Sequence, residues 1–139
     1  KRSNILHRAV ESMPRSIISP AAERDMESSL AWTHERFGAQ ARLRYEALLV
    51  RAILDVADDA GRTGCQARPE IAPDARTYHL WHSRRRLEPA SDRVRSPRHF
   101  LLFRIREDGA IEIGRVLHEA MDLAQHLPDQ YRPRTSDER

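Results

Sequence analysis

The chain has 139 residues, 40% hydrophobic and 32% charged, with a net charge of +3 and one cysteine. That length fits one domain, since domains cluster at roughly 100–150 residues, and the composition describes a small core under a heavily charged surface. A lone cysteine excludes an internal disulfide and a CxxC zinc pair. No apolar run reaches the ~18–20 residues that span a bilayer, and no signal-peptide core precedes the first methionine, Met13. A soluble, cytoplasmic protein is expected, with 1–12 an extension of unknown role, 13–128 one domain and 129–139 a flexible tail.

The stretch RSIIS, 15–19, is a short apolar run suited to a strand. SPAAERD then opens a helix, with Ser19 as N-cap, Pro20 at the first helical position, and Glu23 and Asp25 near the positive end of the dipole. Ala22, Met26, Leu30, Thr33 and Phe37 recur at helical spacing until Gly38 stops the helix. A second helix begins almost at once, with Tyr45, Leu48, Leu49, Ala52, Ile53 and Val56 forming one apolar stripe. So short a connection predicts an antiparallel helix hairpin. Gly, Pro, Asp and Arg dominate 58–74, which reads as a long loop.

Strand signals follow at 76–82 (RTYHLWH), 99–105 (HFLLFRI) and 111–117 (IEIGRVL), the last two joined by a turn at Asp108 and Gly109. HEAMDLAQHLP, 118–128, has helical spacing in Ala120, Leu123, Ala124 and Leu127 and closes at Pro128. The order predicts an α+β fold: a short N-terminal strand and a two-helix hairpin packed on an antiparallel sheet, then a short C-terminal helix.

Of the 24 basic residues 23 are arginine, and 76–106 holds nine of them against two acids, Glu88 and Asp92. Such a segment attracts polyanions or acidic protein surfaces, unless it is only a solvated basic hairpin. Its middle, SRRRLEPASDRVRSPR at 83–98, is too polar for core and too long for a tight turn, so an exposed loop is expected.

Arg104 and Arg115 fall on adjacent predicted strands with His118 just beyond, so the three can converge at one sheet edge. Two guanidiniums would hold a phosphate while the imidazole moves a proton, a step that typically contributes ~10²–10⁴-fold. That is the set of a metal-free ribonuclease. The competing structural reading pairs Arg115 with Glu119 or Asp122 and uses His118 as a cap. His79 and His82, three apart on a predicted strand, point to opposite faces and make no metal site. P-loop, GxGxxG and HExxH patterns are absent, so neither metal nor cofactor is expected. Trp81, His99 and Phe103, beside arginines, are candidates for stacking on bases, with core packing as the alternative.

SPAAERDMESSLAWTHERFG, with FLLFRI and IEIGRVLHEAMDLAQHL, resembles the ParE-type toxins of the RelE/ParE superfamily. The motifs concerned are a strand running into SP-x-A-x-x-D, an aromatic residue before ERFG, and a terminal RVLH-x-x-MD at 115–122. The resemblance covers about 14–128 and implies a helix hairpin against an antiparallel sheet. It also implies the toxin of a type II toxin–antitoxin system, silenced by a ParD-like antitoxin and acting on DNA gyrase to block replication. RelE-like members instead cleave mRNA on the ribosome, and Arg104, Arg115 and His118 would serve that alternative. An inactive antitoxin-binding module is the third reading. Under the ParE reading, Arg84, Arg85, Arg86, Arg98, Arg115 and His118 are candidate target contacts. Trp32, Phe37, Leu101 and Phe103 are candidate apolar contacts for an antitoxin, whose acidic tail the basic surface would favour. The segment 83–98 is longer than the usual family pattern, and 1–12 has no counterpart in it.

Overall fold

Ser19 starts the first helix as expected. Its hydroxyl accepts from the Ala22 N–H at 3.0 Å, and Pro20 occupies the first helical turn, where a missing N–H costs nothing. A computed structural model describes residues 16–87, 93–121, 127–128 and 131. In chain order these form β1 (Ser16–Ile18), α1 (Pro20–Phe37), α2 (Ala39–Asp58), β2 (Gln66–Ala67), β3 (Arg76–His79), a 3-10 helix (Leu80–Arg86), β4 (His99–Ile105) and β5 (Ile111–His118). The extension 1–12 and most of the 129–139 tail lie outside the described residues.

Gly38 alone joins the two helices. Its φ of 94° lies where a side chain would be strained, and its N–H closes α1 on the His34 carbonyl. The hairpin lays Ala22, Met26 and Leu30 of α1 and the whole predicted stripe of α2 onto one face of the sheet, against Tyr78, Leu101, Phe103, Ile113 and Val116. Each large apolar side chain buried there contributes about 1.5–3 kcal/mol relative to exposure. Phe37, placed in the α1 stripe by its spacing, is instead 66% exposed. It sits at the hairpin's turn, past the edge of the sheet-facing stripe.

The five strands run in the order β1-β5-β4-β3-β2. β1 is parallel to β5 and the other pairs are antiparallel, so the sheet is mixed rather than purely antiparallel. The β4–β5 turn forms as expected at Asp108–Gly109, with the Arg106 N–H donating to the Ala110 carbonyl at 2.8 Å. Its register slips at Gly114: Leu102 pairs with Arg115 but Phe103 with Ile113. A Cβ at Gly114 would stand 2.9 Å from the Tyr131 ring, so this position needs glycine for Tyr131 to pack on the sheet's second face with Leu102, Ala72 and Ala75.

Other expectations change. The strand predicted at 76–82 ends at His79, because His79 Nδ1 accepts the Trp81 N–H at 3.0 Å and turns the chain into the 3-10 helix. That helix also takes in Ser83 to Arg86, the start of the expected loop. Inside the loop read at 58–74, Gln66–Ala67 forms a two-residue edge strand on β3. At the C-terminal side β5 runs on through His118, followed by a turn. The rest of the predicted C-terminal helix, 122–126, lies outside the described residues.

The 3-10 helix is anchored by a buried carboxylate in the last turn of α2. Asp55, 1% exposed, accepts the Ser83 hydroxyl at 2.6 Å and meets Arg51 Nε at 3.0 Å, Arg86 Nε at 3.2 Å and an Arg62 guanidinium nitrogen at 3.5 Å. With the Ser83 proton given to Asp55, the Tyr78 hydroxyl 2.7 Å away must donate to Ser83. Removing this carboxylate strands three guanidiniums and a buried hydroxyl. Asp55→Ala is therefore expected to cost about 3–5 kcal/mol, read as a lowered urea midpoint. A loss below about 1 kcal/mol would mean the cluster is solvated and not structural.

Candidate functional site

β1 stops beside Ile113, and among the described residues no strand neighbours the rest of β5 on that edge. The start of α1 supplies the missing partners. Ser19 N–H donates to the Ile113 carbonyl at 3.0 Å and the Ser19 hydroxyl donates to the Gly114 carbonyl at 2.8 Å. Asp25 accepts the Val116 N–H at 2.9 Å and holds the Arg115 guanidinium through two bonds, Nε at 2.7 Å and a terminal nitrogen at 2.9 Å. This side-on geometry is the strong form of the Arg–carboxylate pair, and the hydrogen bond to Asp25 holds the Arg115 pKa above its usual value. Arg115 therefore pairs with Asp25 and not with the expected Glu119 or Asp122. Asp122 lies outside the described residues, and Glu119 is engaged elsewhere.

The suspected catalytic set does not assemble. Arg104 binds Glu112 at 2.6 Å and lies over the Tyr131 ring at 5.1 Å, on the sheet face away from the helices. Arg115 is committed to Asp25 at the β5 edge. His118 faces the helix side, its ring edge-on to His99 at 5.3 Å. Alternation along β4, with Leu101 and Phe103 under the helices, sets Arg104 on the opposite face from His118. The His118 tautomer follows from its partner: Nδ1 accepts the Ala120 N–H at 3.1 Å, and a backbone N–H can only donate. In its neutral form His118 therefore carries its proton on Nε2 and has no open basic nitrogen, which makes it a turn cap. His79 is bound the same way, with Nδ1 on the Trp81 N–H and Nε2 2.9 Å from Glu119. Among the described residues no group of three or more His, Cys, Asp or Glu side chains could hold a metal ion.

What the fold does build on the helix side is a groove of about 1090 Å³. Ser29, Trp32, Thr33 and Phe37 of α1 and Ala41, Arg44 and Tyr45 of α2 form one wall; residues 93–96 and Arg98, with His99 and His118, form the other. Trp32, 51% exposed, meets the Phe37 ring edge-on at 5.8 Å, with Arg36 5.3 Å from its centroid. Arg44, Arg93, Arg95 and Arg98 rim this apolar floor, and no acid lines it among the described residues. At its base the Tyr45 hydroxyl hydrogen-bonds His99 Nδ1. Burial raises the Tyr45 pKa well above the phenol range, so Tyr45 keeps its proton and donates it. Burial, aided by the neighbouring His118 and His79, pushes the His99 imidazole down to about 4.

The candidate contacts thus divide. Trp32 and Phe37 are exposed on the groove, whereas Leu101 and Phe103 are fully buried beneath the helices and offer no surface. Of the candidate target contacts, Arg84 lies over the Trp81 ring at 4.0 Å, Arg85 is exposed, Arg86 turns to Asp55, and Arg98 pairs with Glu119 at 3.1 Å. Phe103 cannot stack on a base; Trp81, 48% exposed, has the surface to do so. Tyr45 was hidden from sequence reasoning because it heads an apolar stripe, and Asp25 because nothing local announces a partner 90 residues away.

Residues 17–123 match the family described as ParE toxin of type II toxin-antitoxin system, parDE. Toxin ParE1 of Mycobacterium tuberculosis (strain CDC 1551 / Oshkosh) is 30% identical over 113 residues, which is 81% of this chain and 97% of that protein. Toxin ParE1 from a second strain of the same organism matches equally. The chain belongs to the ParE toxin family of type II toxin–antitoxin systems. No helix among the described residues is long and apolar enough to cross a membrane.

The half-buried His99 links the groove to pH. Its folded-state pKa is depressed from 6.5, so the stability it contributes is fully present above pH 6.5 and is lost as pH falls toward 4. Between pH 6.5 and 5 the loss is about 2 kcal/mol. Urea midpoints measured across that range should fall in the parent chain and fall less in His99→Asn. Parallel slopes in the two would show that His99 titrates normally.

Proposed function

We propose that this toxin acts by binding DNA gyrase and blocking replication, and that its cognate antitoxin silences it by laying an apolar, acidic segment in the groove beside Trp32 and Phe37. The observation that carries the non-enzymatic reading is the separation of Arg104, Arg115 and His118, each held by its own partner. With these three apart, one phosphate cannot meet both of these guanidiniums and this imidazole, so a ribosome-dependent nuclease built on them finds little support. Membership of the ParE family points the same way.

The antitoxin part rests on groove chemistry. An aromatic floor ringed by arginines suits a segment that folds on binding, with apolar anchors for the floor and acids for the rim. The acids would raise the rate of encounter and the anchors would set the lifetime of the complex. Under this reading the antitoxin contacts are Trp32 and Phe37 with Tyr45 behind them and the rim arginines around them, and Arg84 and Arg85 remain available to the target.

A supercoiling assay with purified gyrase tests the proposal. The folded chain is expected to inhibit supercoiling, and stoichiometric cognate antitoxin to restore it; Trp32→Ala should need at least tenfold more antitoxin for the same relief. Untouched supercoiling, together with mRNA cleavage in a translation extract, would overturn it.

A further inference from the structure

Beside the groove lies a second, more polar hollow of about 470 Å³, walled by His79, Trp81 and His82 on one side, by residues 95–98 on the other, and by Glu119. Its chemistry differs from that of the groove. The indole of Trp81 is half exposed, and the Arg84 guanidinium lies on it at 4.0 Å. Arg95 and Arg98 project from the opposite wall with Ser96 between them. Arg85 is exposed on the same short helix. Glu119 is the one acid among the described lining residues, and it is already hydrogen-bonded to His79 Nε2 at 2.9 Å and paired with Arg98 at 3.1 Å.

From this arrangement we propose that the hollow binds an unpaired nucleic-acid strand, with a base stacked on the Trp81–Arg84 pair and the adjoining phosphodiester held by Arg95 and Arg98. An exposed indole carrying a guanidinium is a stacking platform that accepts any base, because every base has a π-face. Arginines on the facing wall supply the charge-assisted donors that phosphate oxygens need. Stacking also explains a preference for single strands: in a duplex the base faces are already covered. An acidic peptide would find the charges but has no use for the indole platform, and the neighbouring groove suits an apolar peptide better. The proposal does not depend on gyrase being the target.

Fluorescence anisotropy of the purified chain with a labelled 15-nucleotide oligothymidylate and a 15-base-pair duplex decides it. The single strand is expected to bind at least tenfold more tightly than the duplex. The logarithm of the association constant should fall with the logarithm of salt with a slope of about −2 to −3, as for roughly three to four phosphates neutralised. Trp81→Ala should weaken single-strand binding about tenfold or more, with Trp81→Phe retaining most of it. Arg95→Ala should weaken it and reduce the slope by about 0.7. Arg106→Ala, which removes the same charge at the distant β4–β5 turn, should do neither. Equal affinity for strand and duplex, or equal losses for Arg95→Ala and Arg106→Ala, would reduce the effect to general electrostatics and overturn the site. Absence of strand binding, with Trp81→Ala instead weakening antitoxin binding, would assign the hollow to an acidic peptide and overturn it as well.

Discussion

Beyond Ile113 the edge of β5 has no strand beside it among the described residues, and its polar groups have to be met by something other than a ladder. In this toxin they are met from α1. Ser19 serves two carbonyls of β5 while capping its own helix, and Asp25 takes both the Val116 N–H and the Arg115 guanidinium. One carboxylate thereby fixes where the first helix sits on the last strand. The hairpin, the register beyond the Gly114 bulge and the position of His118 all follow from that seam. The SP-x-A-x-x-D and RVLH motifs, some 90 residues apart, are two halves of one contact, which gives a physical reason for them to occur together.

That seam also disperses the suspected catalytic set: Arg115 is used for closure, Arg104 is turned to the Tyr131 face and His118 caps a turn. The apolar groove and the polar hollow share a wall, since Arg95, Ser96 and Arg98 line both. A segment seated in the groove would therefore bear on the residues of the hollow, and binding at the two places would be linked in both directions.

Much of this was legible in the sequence where local rules act alone. Ser19, Pro20 and Gly38 bounded the first helix, the 45-to-56 stripe identified the buried face of the second, and Asp108–Gly109 marked the hairpin turn. Long-range pairing was not legible. Periodicity could not show that β1 would run parallel to β5, or that Asp25 rather than Glu119 or Asp122 would hold Arg115. Strand propensity at 76–82 was overridden by the His79 side chain and by the pull of Asp55 on Ser83. Apolar character put Leu101 and Phe103 among the antitoxin contacts, but hydropathy alone cannot separate a core residue from an exposed anchor. The groove itself arises where two helices meet a segment some 50 residues further on, and no local pattern encodes that.

The most direct measurement is a double-mutant cycle on Asp25 and Arg115, reading both folding free energy and gyrase inhibition. The pair is mostly buried, with side-chain exposures of 17% and 20%, and bonded at two points, so a coupling of roughly 1–3 kcal/mol is predicted. Inhibition should fall only as far as the folded fraction does. Coupling near zero, with a folded Arg115→Ala chain that no longer inhibits gyrase, would make Arg115 a working residue and contradict the view of this seam as structural.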